Sequence, residues 1–242
     1  MSNYGLLVNA GISFLIALSG GAMALIVFIR KRESKIRPLS FSFAAFWGAI
    51  TMVYLFAALR MVAAFYGNQA LDALFYQIDN AFGGLMLLPS VFLALFLITS
   101  NRLLGAVGAI VAGIIWAIWL VVMYTNGLDF ATHTLGYWHS DWDQVSKAAK
   151  QIAIFGLYLP GAFSIIAMFF GLFRVNSAFA RYRLIMTVIS MLLTMTLIIV
   201  EFMTTDPVAG IWIRSGLLAA VLIGIFAYFP PRGIKARLEN VS

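Results

Sequence analysis

Long apolar runs separated by short polar breaks make up nearly the whole chain. Seven of them approach or exceed the roughly 20 residues a helix needs to cross the hydrocarbon layer of a membrane. They lie near 5–29, 41–65, 72–99, 103–124, 149–173, 182–204 and 208–229. Lipid gives the backbone no hydrogen-bond partner but itself, so each run is predicted to be a helix. The alternating short strands of a membrane barrel are absent. The pattern predicts an all-α, integral membrane seven-helix bundle over 1–229, with a long loop at 125–148 and a short basic tail at 230–242. Three of the six connections are very short, which makes the spans they join antiparallel neighbours.

Interruptions inside the runs carry further expectations. Pro89 and Pro160 each fall within a span and should bend it, because proline lacks the N–H that the carbonyl four residues back requires. Ser90 and Ser164 are placed to serve as backbone partners at those bends. Small residues recur every fourth position at Gly105, Ala109, Gly113 and Ala117, and again at Gly216, Ala220 and Gly224. Such stripes let helices approach closely in lipid, either inside one bundle or across a homodimer seam.

Charge sorts the breaks into two kinds. Those after the first, third and fifth spans, together with the tail, hold 12 of the 16 basic residues, among them Arg30, Arg37, Arg102, Arg181, Arg183 and Arg232. The other breaks hold Asp72, Asp129, Asp141, Asp143 and Asp206 with only Lys147 and Lys150. The positive-inside rule then predicts the N-terminus outside and the C-terminus in the cytoplasm. Composition agrees with a lipid-solvated chain: 63% of residues are apolar and 10% charged. The net charge of +7 is accordingly a topology code, and nucleic acid is not an expected partner. With no cysteine, disulfides, thiolate nucleophiles and thiolate metal sites are excluded.

Four ions fall inside the apolar runs: Arg60, Asp79, Glu201 and Arg214. A charge at the centre of a bilayer costs about 2.5–3.5 kcal/mol on insertion scales, so such groups pair with one another or line a cavity. Each lies a turn or two from the outer end of its span. The second and third spans bring Arg60 towards Asp79, and the sixth and seventh bring Glu201 towards Arg214. If the two hairpins meet, the four charges form a neutral cluster, with Tyr54, Tyr76, Gln77 and Asn80 available to satisfy remaining donors and acceptors. Two readings stand: ion pairs that fix helix rotation, or a ligand or switch site in which an arginine meets an anion or Glu201 protonation alters packing.

The outer loop adds His133, His139, Asp141 and Asp143, residue types that bind zinc or copper, although their spacing matches no recognised metal motif. Its Tyr137, Trp138 and Trp142 suit an interfacial aromatic belt, or a lid folded over the bundle. No span contains a lysine, so a covalent retinal Schiff base is not expected. Both histidines are in the loop, so no intramembrane pair is available to hold haem or iron. No nucleophile with a base and no phosphate-binding glycine loop is found, so enzyme chemistry is not expected. No cofactor is predicted; lipid or a non-covalently held pigment is the open alternative.

From about Ile36 to Arg232 the chain resembles the seven-helix N-terminal sensor regions of bacterial membrane histidine kinases and related signalling proteins. The features are the basic first inner loop, Trp47, the stretch Leu71-Asp-Ala-Leu-Phe-Tyr-Gln-Ile-Asp79 leading to Leu88-Pro89, Tyr124-Thr-Asn-Gly127, and the closing Phe229-Pro-Pro-Arg232. The sequence holds no kinase, cyclase or PAS-like output, so the expectation is a stand-alone relative or a membrane portion acting with a partner. The resemblance implies signal reception, in a bacterial or archaeal cytoplasmic membrane, passed to a cytoplasmic signalling protein. The alternative is a non-catalytic accessory subunit holding lipids, pigment or neighbouring membrane subunits, with Trp116, Trp119, Phe169 and Phe170 on its outer faces.

Overall fold

The computed structural model describes residues 3–30, 37–126, 133–142, 151–170, 177–204 and 206–234. Among them, six helical runs are long and apolar enough to cross a membrane: Tyr4–Ile29, Ser40–Phe65, Gln69–Thr99, Arg102–Thr125, Arg181–Glu201 and Val208–Tyr228. The chain is therefore an all-α integral membrane protein. The run expected at 149–173 differs: its described part is a shorter apolar helix, Ile152–Met168.

Helix α1 (Tyr4–Arg30) packs along α2 (Arg37–Phe65) on one side and α8 (Pro207–Tyr228) on the other. Helix α8 pairs with α7 (Ala178–Met203), and α7 meets α6 (Leu159–Met168). The remaining wall is α3 (Gln69–Leu85), α4 (Leu87–Thr99) and α5 (Arg102–Asn126). Helix α4 touches α2, α5 and α6, so contacts run round the bundle and close from α8 back to α1. Trp47, Ile50, Leu93, Trp119, Met191 and Leu217 are fully buried between these helices. Trp119 thus belongs to the core, and the Trp116 indole donates to the Ala81 carbonyl at 2.8 Å. Both tryptophans expected on an outer face point inward, whereas Phe170 is exposed.

The prolines interrupt their helices as their chemistry requires. Without a proline N–H at 89, the Leu85 carbonyl loses its helical partner, and the third span breaks into α3 and α4 at Met86. The Ser90 hydroxyl donates to the Met86 carbonyl at 2.8 Å. Before Pro160 the helix opens into a π-helical stretch, Ile152–Tyr158, and the Ser164 hydroxyl donates to the Pro160 carbonyl at 2.7 Å. The small-residue stripes pack internally: Gly105 faces Phe92 and Gly113 faces Leu88, while Gly216 faces Leu197 and Gly224 faces Ser190 and Trp47.

Two turns at the same end of the bundle place the polar residues. Gly67, at φ +71°, takes the left-handed conformation that ends α2, and the Asn68 side chain caps α3 by accepting from the Leu71 N–H at 3.1 Å. Helix α3 consequently begins at Gln69, three residues before the expected start, and Asp72 lies in its first turn. At the α7–α8 turn Asp206 accepts from the Val208 N–H at 3.0 Å, with Pro207 in the first turn, where its missing donor costs nothing.

Candidate functional site

Asp72, Tyr76, Asp79 and Gly83 recur at intervals of four, three and four along α3, one face of a helix. Arg60 of α2 meets that face. Its Nε donates to Asp72 Oδ1 at 3.1 Å, a terminal nitrogen lies 3.9 Å from Asp79 Oδ2, and the guanidinium sits 4.6 Å above the Tyr76 ring. Its other terminal nitrogen donates to the Ser140 backbone carbonyl. Asp72 is the stronger partner and is completely buried. Asp72, expected in an outer loop, is instead carried on α3 by its early start and joins Asp79 as a partner of Arg60.

The loop supplies the rest of the Asp72 shell. Thr134–Leu135 and Ser140–Asp141 pair antiparallel, and the Gly136 N–H closes the turn onto the His139 carbonyl at 2.9 Å. This hairpin drops onto α3. The Ser140 hydroxyl and the Trp142 indole, the latter at 3.1 Å, both donate to Asp72 Oδ2, and His133 Nε2 lies 3.2 Å from the same oxygen. Trp142 is buried against Ala73 and Tyr76, so it is not part of a surface belt. The hairpin also reaches α1, where the Asn9 amide donates to the Trp138 carbonyl at 2.8 Å.

On the far wall Arg214 Nε donates to Glu201 Oε1 at 2.6 Å, and the Tyr54 hydroxyl donates to Glu201 Oε2 at 3.0 Å. A terminal nitrogen of Arg214 donates to Asn9 Oδ1 at 2.7 Å and Ser13 Oγ at 2.9 Å. Asn9 and Ser13 form an i, i+4 polar pair within an apolar span, a signal the sequence reading passed over. Between the two walls lies a cavity of about 430 Å³, and Arg60, Asp79, Glu201 and Arg214 all line it. The expected neutral foursome becomes a set of five with Asp72, three acids against two bases. Asn80 donates to Asp79 Oδ1 at 2.9 Å, whereas Gln77 accepts from the Tyr124 hydroxyl through its backbone carbonyl at 3.3 Å.

Among the described residues, no group of three or more His, Cys, Asp or Glu is placed to hold a metal ion. His133 lies against Asp72 and Ser140; Asp143 and the side chain of Asp141 lie outside the described residues. No protein-family model matches the chain, and no curated protein matches it in sequence.

Ser140, His133 and Asp72 bring together the residue types of a hydrolytic triad, but in a different order. A triad needs the histidine to bridge, one nitrogen to the serine and the other to the acid. Here serine and acid share His133 Nε2, at 2.8 and 3.2 Å, and the serine hydroxyl donates directly to Asp72. The other nitrogen faces the Gln69 amide nitrogen at 3.4 Å. The geometry is that of a filled hydrogen-bond shell round a buried anion.

Proposed function

We propose that this protein is a membrane sensor or receptor-like module that admits a stimulus at the cavity and passes a movement to a cytoplasmic partner. In this reading it has seven spans, with Ile152–Met168 the core of the fifth. Its N-terminus is outside and its C-terminus inside, in a bacterial or archaeal cytoplasmic membrane. The distribution of basic residues supports that orientation. The observation that carries the proposal is the joint wall of the cavity: the hairpin lines one side through His139, Ser140 and Trp142, and α8 forms another through Arg214. From Arg214 to Tyr228, α8 runs about 21 Å further, at 1.5 Å per residue, and leads into the basic tail. A stimulus that separates Arg214 from Glu201 removes the contact that sets the position of α8, and biases its packing against α1 and α7. The module is non-catalytic and has no resident cofactor.

The absence of cysteine makes a clean test possible. Spin labels at Leu103→Cys in α5 and Gly233→Cys, just beyond α8, report the separation of the two segments at the end remote from the cavity. Glu201→Gln and Arg214→Ala are expected to shift that distance distribution by several ångströms while the purified protein stays monodisperse. An unchanged distribution in both variants defeats the sensor reading. Loss of folding in both leaves the ions a purely architectural role.

A further inference from the structure

We infer that the cavity is a binding site for a small organic ammonium ion, with Asp79 as its counter-ion. The inference deepens the sensor reading and rests on it for the claim that the cavity admits a ligand. It reverses the sign expected from sequence, where an arginine was to receive an anion.

The balance of charge sets the sign. Arg60 donates through Nε to Asp72 and through one terminal nitrogen to the Ser140 carbonyl, and Arg214 donates through Nε to Glu201 and through one terminal nitrogen to Asn9 and Ser13. Among the acids, Asp72 and Glu201 each have both oxygens engaged. Asp79 differs. One oxygen accepts from Asn80 at 2.9 Å, and the other has Arg60 at 3.9 Å, beyond hydrogen-bond reach. Arg60 is hydrogen-bonded to Asp72 and Arg214 to Glu201, so Asp79 is the acid left without a hydrogen-bonded base. A carboxylate 8% exposed with spare acceptor capacity is costly in an apolar setting, and a cation that donates to it removes that cost.

The surroundings fit a cation with an organic body. Tyr54, Tyr158 and Trp142 line the same cavity, and aromatic faces attract ammonium groups. Gly83, one turn beyond Asp79, leaves room for the Tyr158 hydroxyl, which a Cβ there would approach to 2.9 Å. The volume, about 430 Å³, lies within the range of small-ligand pockets. Asp206, exposed and also lining the cavity, adds negative charge at its edge.

The test uses the full chain in phosphatidylglycerol nanodiscs and titration calorimetry at constant ionic strength. Three probes share one body: benzylammonium, benzyl alcohol and benzoate. Benzylammonium is expected to bind saturably and at least tenfold more tightly than either of the others. Asp79→Asn should weaken it tenfold or more while the melting temperature holds. Benzoate binding as well as benzylammonium, no saturable benzylammonium heat, or a folded Asp79→Asn protein within threefold of wild type would each overturn the inference. If Asp79→Asn fails to fold, the probe series on the unaltered chain decides. Repeating the titration in phosphatidylethanolamine nanodiscs separates two sources of the same chemistry. A tenfold drop in affinity, after correction for benzylammonium accumulation measured on empty nanodiscs of each lipid, assigns the site to a lipid headgroup ammonium, and no change assigns it to a free one; both support the class. Saturable, Asp79-dependent binding that leaves the spin-label distances unmoved keeps the ammonium site and rejects the sensor reading. Distances that respond to Glu201→Gln without any ammonium binding do the reverse.

Discussion

The two arginines that face the cavity are secured in different ways. Arg60 and Asp72 sit at the junction of one helical hairpin with a loop, and three of the groups around them (Ser140, Trp142 and His133) come from that loop. Arg214 and Glu201 are held by helices alone, through Asn9 and Ser13 of α1 and Tyr54 of α2. Residual exposure follows the same division: the Asp72 side chain is 0% exposed and that of Glu201 is 21%. The first pair fixes the lid and the second fixes the bundle. An opening of the cavity that leaves the helices in place must break the first set of contacts, and a movement of α8 must break the second.

The largest effect is expected from Asp72→Ala, which leaves Arg60 with only the more distant Asp79 and leaves Ser140, His133 and Trp142 without their shared acceptor. Removing one partner of a buried pair costs about 3–5 kcal/mol. Unfolding in denaturing detergent should register that loss, and amide exchange across 134–141 should accelerate with it. Arg214→Ala comes next, at about 2–3 kcal/mol, because Glu201 retains partial access to water. Exchange in the hairpin should stay close to wild type there. Equal acceleration in both variants would show that lid and bundle are one unit, and would break the distinction. The smallest change is Trp142→Phe, which removes one hydrogen bond to a buried carboxylate and keeps most of the packing, for about 1.5 kcal/mol. Its effect should be confined to the hairpin, and a shift at α8 would again merge the two regions.

Much of the helical architecture follows from hydropathy, because lipid leaves an apolar run of this length few alternatives. The break at Met86 and the π-helical stretch before Pro160 follow from the missing proline donors, and Ser90 and Ser164 bond to backbone carbonyls at those bends. Arg60, Asp79, Glu201 and Arg214 stood out as charges in hydrocarbon. Asp72 did not, since a carboxylate beside Gly67-Asn68 reads as a loop residue until the cap extends α3 by three positions. Its spacing to Tyr76 and Asp79 along one helical face was the available clue. The hairpin was harder to read: two-residue strands carry little local propensity, and what orders them is the tertiary bonding of Ser140 and Trp142 to Asp72. Asn9 and Ser13 were masked by the strength of the surrounding apolar run.

Ser140 binds the ion pair through two different parts of itself, its main-chain carbonyl to Arg60 and its hydroxyl to Asp72. Only the second link is written in the side chain. Alanine at 140 would delete the grip on the acid and leave the grip on the base untouched, since every residue carries that oxygen. Ser140 thus holds the lid by one thread that mutation at this position can cut and one that it cannot, beside the ties made by Trp142, His133 and Trp138, so the lid's strength is adjustable in a single step without setting it free.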